Sequence, residues 1–281
     1  MKSSLVFVAA LLCLFLLLEC SKKGCTYSKA FNYDSNATVD DGSCSYTGCM
    51  DVNSLNYNPN ATIDDGSCIY NSELKDLEGN LYNTVIFSNG QEWMSENLRV
   101  GKYSNNDPIS LVEDDISWSN FNSGAYCWYN SDSLYNNHPH GKLYNWYSVV
   151  DSRNICPSGW RIPNNQDWNK LIIYLDSNVD TSISSGWLNT NAGGSMKSTG
   201  FQFWLPNNIG ATNVSGFNGL PSGWRKFDGS YHDINEWTDW WSIDEFSSDS
   251  AFSYLLSNYS EDIYKFPYNK KSGFSVRCIK D

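Results

Sequence analysis

The sequence predicts an α+β domain behind a short cysteine-stapled repeat region, and three observations predict it. One 24-residue unit occurs twice, at 24–47 and 48–71, with the same cysteine, Asn and Asp-Asp-Gly-Ser positions in both copies. Further on, Asn89-Gly90 separates two runs rich in β-branched and aromatic residues, a strong hairpin signal. A helical apolar face then follows Pro163, while residues beyond Gly193-Gly194 alternate short β-like runs with loops rich in Gly, Asn and Ser.

Taken in order, the N-terminus reads as an export signal. Lys2 is the only charge ahead of an apolar run from Leu5 to Leu18. That run is shorter than the roughly 20 residues of a membrane-spanning helix and suits a signal-peptide core. Leu17-Leu18-Glu19-Cys20 resembles a lipobox, where a peptidase cuts before a cysteine that then carries lipid; Glu19 departs from the small residue usual there. The expectation is a lipoprotein-type signal over 1–19, lipidation at Cys20 and a linker over 20–23. The protein is then an outer-membrane lipoprotein of the cell envelope, with ordinary secretion as the alternative, and the membrane is a partner through the lipid.

Each repeat is too small to bury a core and calls for a staple. Cys25 with Cys44 and Cys49 with Cys68 each close one unit, although four cysteines allow three connectivities. Asn32, Asp34, Asn36 and Asp40 fall at loop positions 1, 3, 5 and 9, as do Asn56, Asn58, Asn60 and Asp64, which raises calcium as a ligand. Alanine and serine stand where an EF-hand needs Gly and a bidentate Glu, so the loop is not an EF-hand. The candidate calcium carboxylates are Asp34, Asp40, Asp41, Asp64 and Asp65. Against that stands a plain turn, in which Asp-Asp-Gly-Ser carboxylates cap backbone amides. No other cofactor is expected. The units are similar to short Asp-Asp-Gly-Ser-Cys repeats of exported marine bacterial proteins, which implies a spacer.

The large domain is expected over 72–281. Val85-Ile86-Phe87 and Gln91-Glu92-Trp93-Met94 flank the hairpin turn. Leu143, Trp146, Tyr147 and Val150 recur at helical spacing, predicting a first helix after Gly141. A second helix starts after Pro163, with Asn164 as N-cap, Asp167 in the first turn, and Trp168, Leu171, Ile172 and Leu175 on one face. The last strand is read over Phe274–Ile279.

Ordered words run through this domain: Gln91 to Leu98, Gly141-Lys142-Leu143-Tyr144-Asn145-Trp146, Cys156-Pro157-Ser158-Gly159-Trp160-Arg161-Ile162-Pro163, Gly193 to Gly200, Ser215 to Pro221, and Gly273 to Asp281. Through them residues 75–281 resemble the Fibrobacter succinogenes major paralogous domain. The resemblance implies an exported module with a C-type-lectin-like fold, in which two helices and small antiparallel sheets hold long loops. It also implies a disulfide between Cys156 and Cys278, which leaves Cys127 as a buried free thiol. Trp160 to Pro163 with Trp168 is similar to formylglycine-generating proteins, but Cys278 stands alone where those hold copper with a cysteine pair. The resemblance establishes no activity.

Composition narrows function further. The net charge is −12 with scattered Lys and Arg, which argues against nucleic acid as a partner. Twelve tryptophans suit either loop-rich packing or stacking platforms for sugar rings. His138-Pro139-His140 and His232 read as surface histidines. No phosphate loop, dinucleotide fingerprint or Gly-x-Ser-x-Gly occurs, and no catalytic residue is assigned. The best binding candidate is Glu236 to Glu245, where carboxylates stand beside tryptophans: Trp237, Asp239, Trp240, Asp244 and Glu245. The chain lacks the Glu-Pro-Asn and Trp-Asn-Asp words of calcium-dependent sugar binding, and Trp240-Trp241-Ser242 also reads as a core strand. The expected function is therefore non-catalytic binding, with glycans leading. Adhesion to other surface proteins is the alternative, and an enzyme of the formylglycine-generating type comes third.

Overall fold

The computed structural model describes residues 21–281, so the signal and Cys20 lie outside the described residues. Two compact units appear: residues 21–52 with 57–67, and Asn53–Asn56 with Cys68–Asp281.

In the smaller unit, β1 (Lys23–Gly24) pairs in parallel with β2 (Val39–Asp40), and β3 (Thr47–Gly48) does the same with β4 (Ile63–Asp64). Cys25 is bonded to Cys44, the pairing within one repeat, and Cys49 and Cys68 are also disulfide-bonded. The Asp-Asp-Gly-Ser words are turns, with Gly42 at φ 74° and Gly66 at φ 71°, a backbone region that disfavours side chains.

The larger unit is α+β, mostly sheet with few and short helices. A five-stranded sheet holds β5 (Tyr70–Lys75), β6 (Leu81–Ile86), β7 (Glu92–Met94), β18 (Ile279–Lys280) and β11 (Trp160–Arg161), so the C-terminal strand lies between early ones. The first strand starts at Tyr70, ahead of the boundary read at Ser72. β6 and β7 are antiparallel around Ser88-Asn89-Gly90, as the turn residues predict. A smaller sheet sets β8 (Ser110–Leu111), β9 (Ala125–Cys127) and β10 (Leu143–Tyr144) side by side. Six strands form the third sheet in the order β12 (Gly186–Trp187), β17 (Tyr264–Asn269), β16 (Ser250–Ser257), β15 (Trp237–Glu245), β13 (Ser222–Arg225), β14 (Tyr231–Ile234).

Five helices accompany the sheets: α1 (Asp115–Asn120), α2 (Ser133–Asn136), α3 (Trp146–Val149), α4 (Asn165–Leu175) and α5 (Ala192–Met196). The long one, α4, begins as the sequence predicts. Asn164 and Asp167 form a reciprocal capping box, and Trp168, Leu171 and Ile172 are buried. The helix expected after Gly141 is a correction. Leu143 and Tyr144 instead pair with Cys127 and Tyr126, and only the single turn α3 remains, capped by Asn145. Pairing with β9 satisfies those backbone groups before a helix can claim them. The terminal segment likewise reaches regular strand only at Ile279, although Phe274 and Ser275 bridge Tyr144 and Trp240.

Strand β15 separates two cores. Trp240 joins Trp93, Trp168, Phe217 and Leu256 on one side, while Trp241 joins Tyr144, Trp146, Phe274 and the Cys156–Cys278 disulfide on the other. Successive strand residues point to opposite faces, so adjacent tryptophans serve different cores. Buried polar groups tie these layers together. Arg277 lies between Phe217 and Trp240 and donates to Asn97 Oδ1, Phe217 O and Asn218 O. Burial still lowers its pKa to about 9. Asn97 accepts from Trp240 Nε1 at 2.8 Å and donates to the His140 carbonyl at 2.8 Å.

Candidate functional site: an aromatic face

The five residues proposed from sequence do not converge. Trp240 is 1% exposed and belongs to the core. Asp244 Oδ2 accepts from Asn165 N at 2.5 Å, holding the start of α4, and Glu245 Oε1 accepts from Lys270 Nζ at 2.6 Å. Trp237 and Asp239 share the remaining face of β15, and there the strand meets a set of rings that sequence reading missed.

Pairing fixes that face. Trp237, Asp239 and Trp241 lie opposite Ser257, Leu255 and Ser253 of β16. Leu255 and Ser253 lie opposite Tyr264 and Phe266 of β17, and Tyr264 lies opposite Trp187 of β12. The residues on β16 are small or aliphatic, so neighbouring rings can lean across them.

The rings touch in sequence. Trp237 meets Tyr259 at 6.1 Å, Tyr259 meets Trp187 at 6.2 Å, and Trp187 meets Tyr264 at 4.8 Å between centroids. Tyr264 stacks on Phe266 at 5.5 Å with planes 10° apart, and Phe266 meets Tyr268 at 5.3 Å. Tyr268 meets Trp224 at 5.6 Å, and Trp224 meets His232 at 5.1 Å. All eight keep solvent exposure: Tyr259 is 48% and Phe266 36% exposed, and the others are partly buried. Trp224 is fixed by its Nε1 donating to Asp233 Oδ2 at 2.8 Å. At one end Trp224 and Tyr268 pack against the core around Phe274, while along the rest of the row the rings remain partly open to solvent.

Asp239 lies beneath them. Its Oδ1 accepts from Ser253 Oγ at 3.1 Å, while among the described residues Oδ2 has no hydrogen-bond partner. Burial raises its pKa to about 7, with Asp233 adding to the rise. It is a buried acid under the face, out of a ligand's reach.

The other candidates fall elsewhere. Asp34, Asp40, Asp41, Asp64 and Asp65 each turn an Oδ1 onto a backbone amide two residues on, the capped turn weighed against calcium. Asn32 and Asn56 Oδ1 likewise accept from Ser45 N and Ile69 N. Asp34 also pairs with Lys22 at 2.7 Å, which lowers its pKa. No cluster of three or more His, Cys, Asp or Glu side chains suited to a metal occurs among the described residues. His140 corrects the surface reading: it is buried against Phe203, and burial lowers its pKa to about 4. His138 stays exposed, 3.8 Å from Glu96. Cys127 is a buried free thiol whose pKa burial raises to about 11, far from the reactive thiolate range.

One signal for the face was present in the sequence. Tyr264-Lys265-Phe266-Pro267-Tyr268 alternates aromatic residues at period two, the mark of rings on one side of a strand. Trp187, Trp224 and Tyr259 carry no such signal, because tertiary pairing alone brings them to it.

The family model of the Fibrobacter succinogenes major domain matches residues 86–280. The chain belongs to that family. The match takes in every ring of the aromatic face and the Cys156–Cys278 bridge, and it begins inside β6, later than the start at 75 read from sequence. No curated protein and no solved structure matches the chain.

Proposed function

We propose that this member of the Fibrobacter succinogenes major domain family is an exported, lipid-anchored envelope protein whose head binds glycans without catalysing their turnover. The observation that carries the reading is the unbroken row of partly exposed rings from Trp237 to Trp224. Ring faces present rigid apolar surface at little entropic cost, and the C–H faces of sugar rings are suited to lie on them. Length matters as well: contacts along a row favour a polysaccharide segment over a single sugar. The fold reading that goes with it is C-type-lectin-like, supported by the capped helix α4 and by a bridge from Cys156 to Cys278 near the C-terminal strand.

Export is supported by the Lys2-led apolar run that ends at Cys20, and by disulfides, which persist in oxidising compartments. Metabolic labelling with a fatty acid tests the anchor: label should enter the wild-type chain and vanish in Cys20→Ala.

Affinity electrophoresis of the full chain through cellulose, xylan, mannan and chitin derivatives tests the head. Retardation in one gel, weakened about tenfold in Phe266→Ala and Trp237→Ala with the fold intact, is the expected result. Silence across all gels from folded protein rejects the glycan reading and puts protein adhesion in its place.

A further inference from the structure

A second feature shares no residue with the aromatic face. An open cleft of about 350 Å³, lined by Glu78, Asn80, Arg99, Trp128, Asn137 and Lys142 among others, lies beside the turn before β6 and the helix α2. That volume is at the low end of small-molecule sites, roughly 300–1,000 Å³.

Lys142 is the unusual member. It is only 6% exposed, yet among the described residues its Nζ has no hydrogen-bond or ion-pair partner. The amine lies over Tyr126 at 4.3 Å and Trp128 at 5.3 Å from the ring centroids. The other buried lysines are all satisfied. Lys197 donates to three carbonyls, Lys270 to Glu245 and Ser248, and Lys265 to Ile183. The ammonium opens onto the cleft, and partial burial lowers the Lys142 pKa to about 8.

The surrounding groups are held in place with capacity left over. Asp76 accepts from Glu78 N, Asn80 N, Asn80 Nδ2 and the Tyr82 hydroxyl, and so fixes the turn that carries Glu78 and Asn80. Glu78 Oε2 accepts from Gly101 N at 2.6 Å, and the carboxylate forms no ion pair with Lys142 among the described residues. Trp128 Nε1 donates to Asn137 Oδ1 at 3.2 Å, leaving the Asn137 amide N–H groups for another acceptor. Arg99 is engaged by Glu96 Oε2 at 2.7 Å and Leu81 O at 2.6 Å.

Charge selects the ligand class. Arg99 is paired with Glu96, and Lys142 is set among the carboxylates of Glu78 in the cleft and Asp76 behind its turn, so the cleft carries no excess of positive charge. A net charge of −12 repels polyanions. A hydroxyl group can accept from an ammonium and donate to a carboxylate at once, and amide side chains can serve its neighbours. We propose that this cleft is a second binding site, for a single neutral sugar residue whose hydroxyls join Lys142 to Glu78 and whose ring lies against Trp128. This site does not depend on the glycan reading of the aromatic face.

Titration of the full chain by calorimetry with glucose, galactose, mannose and N-acetylglucosamine, alongside glucuronate and glycine, tests it. One neutral sugar should bind saturably and stoichiometrically. Glu78→Gln and Lys142→Gln should weaken it at least tenfold. Glu78 is exposed, so its variant stays informative if Lys142→Gln does not fold. No saturable binding by any neutral sugar overturns the proposal. So does tighter binding of glucuronate or glycine, and so does sugar binding that Glu78→Gln leaves intact.

Discussion

Asp239 shows what one buried carboxyl does to stability. Its ordinary value of 3.8 rises to about 7 in the fold because burial favours the neutral acid. Between those values the folded state holds a proton that the unfolded state has released, so stability falls as pH rises through this window. His140 works in the opposite sense: with its pKa lowered from 6.5 to about 4, it costs stability as pH falls from 6.5 toward 4. The two slopes oppose each other in the wild type, so the substitution Asp239→Asn separates them. Its effect on stability should be more favourable at pH 8 than at pH 4, by a difference of a few kcal/mol at about 1.4 kcal/mol per pKa unit. Urea denaturation at the two pH values checks this, and equal effects would mean that Asp239 is ionised in the folded protein. Another residue-scale feature is the Gly193-Gly194 pair. A Cβ on Gly194 would sit 2.5 Å from Gly210 O, and one on Gly193 would sit 2.6 Å from Asp262 O. Backbone oxygens cannot swing aside, so Gly194→Ala should cost about 1–3 kcal/mol, measured as a lowered urea midpoint.

At the scale of elements, helix α4 is the best-specified piece of the chain. Asn164 accepts from Asp167 N, Asp167 reaches back to Asn164 N, and Arg161 holds Asp167 from the preceding strand. Asn164→Ala should lower stability by about 1 kcal/mol, while Asn164→Ser should restore most of it, read from thermal midpoints. Capping is local chemistry, which is why this helix start was legible in Pro163, Asn164 and Asp167. The helix expected at Leu143 failed for the opposite reason. Apolar spacing there matches a helix, but Leu143 and Tyr144 are satisfied by β9 and by Phe274, a partner distant in sequence. Strand β15 gives a similar lesson. Its tryptophans and carboxylates read as one site, yet pleating sends Trp240 and Trp241 into separate cores and leaves Trp237 to the surface.

For the whole molecule, the words by which the family is recognised are mostly packing hubs. Asn97 joins Trp240, Arg277 and the His140 backbone, and Cys278 closes a bridge over a separation of 122 residues. A bridge across so long a loop restricts the unfolded chain strongly, so the paired replacement Cys156→Ser with Cys278→Ser should cost about 2–5 kcal/mol. Thermal unfolding of that double variant beside the wild type checks the value, and an unchanged midpoint would make the bridge dispensable. The two proposed binding surfaces lie apart from those hubs: the rings leaning over β16 and the cleft around Lys142.

By itself the sequence determined the local and the recognisable: the repeat with its turns, the Asn-Gly hairpin, the cap of α4, the α+β class and the family. Each of these depends on neighbours in the chain or on words long enough to recognise. Tertiary structure alone decided which aromatic residues became core and which became surface. Trp237 and Trp241 share one face of β15 and are chemically identical, and only the packing of Phe274 against Trp241 tells them apart. Burial is a property of what the rest of the chain places opposite a side chain, and that is set by long-range pairing.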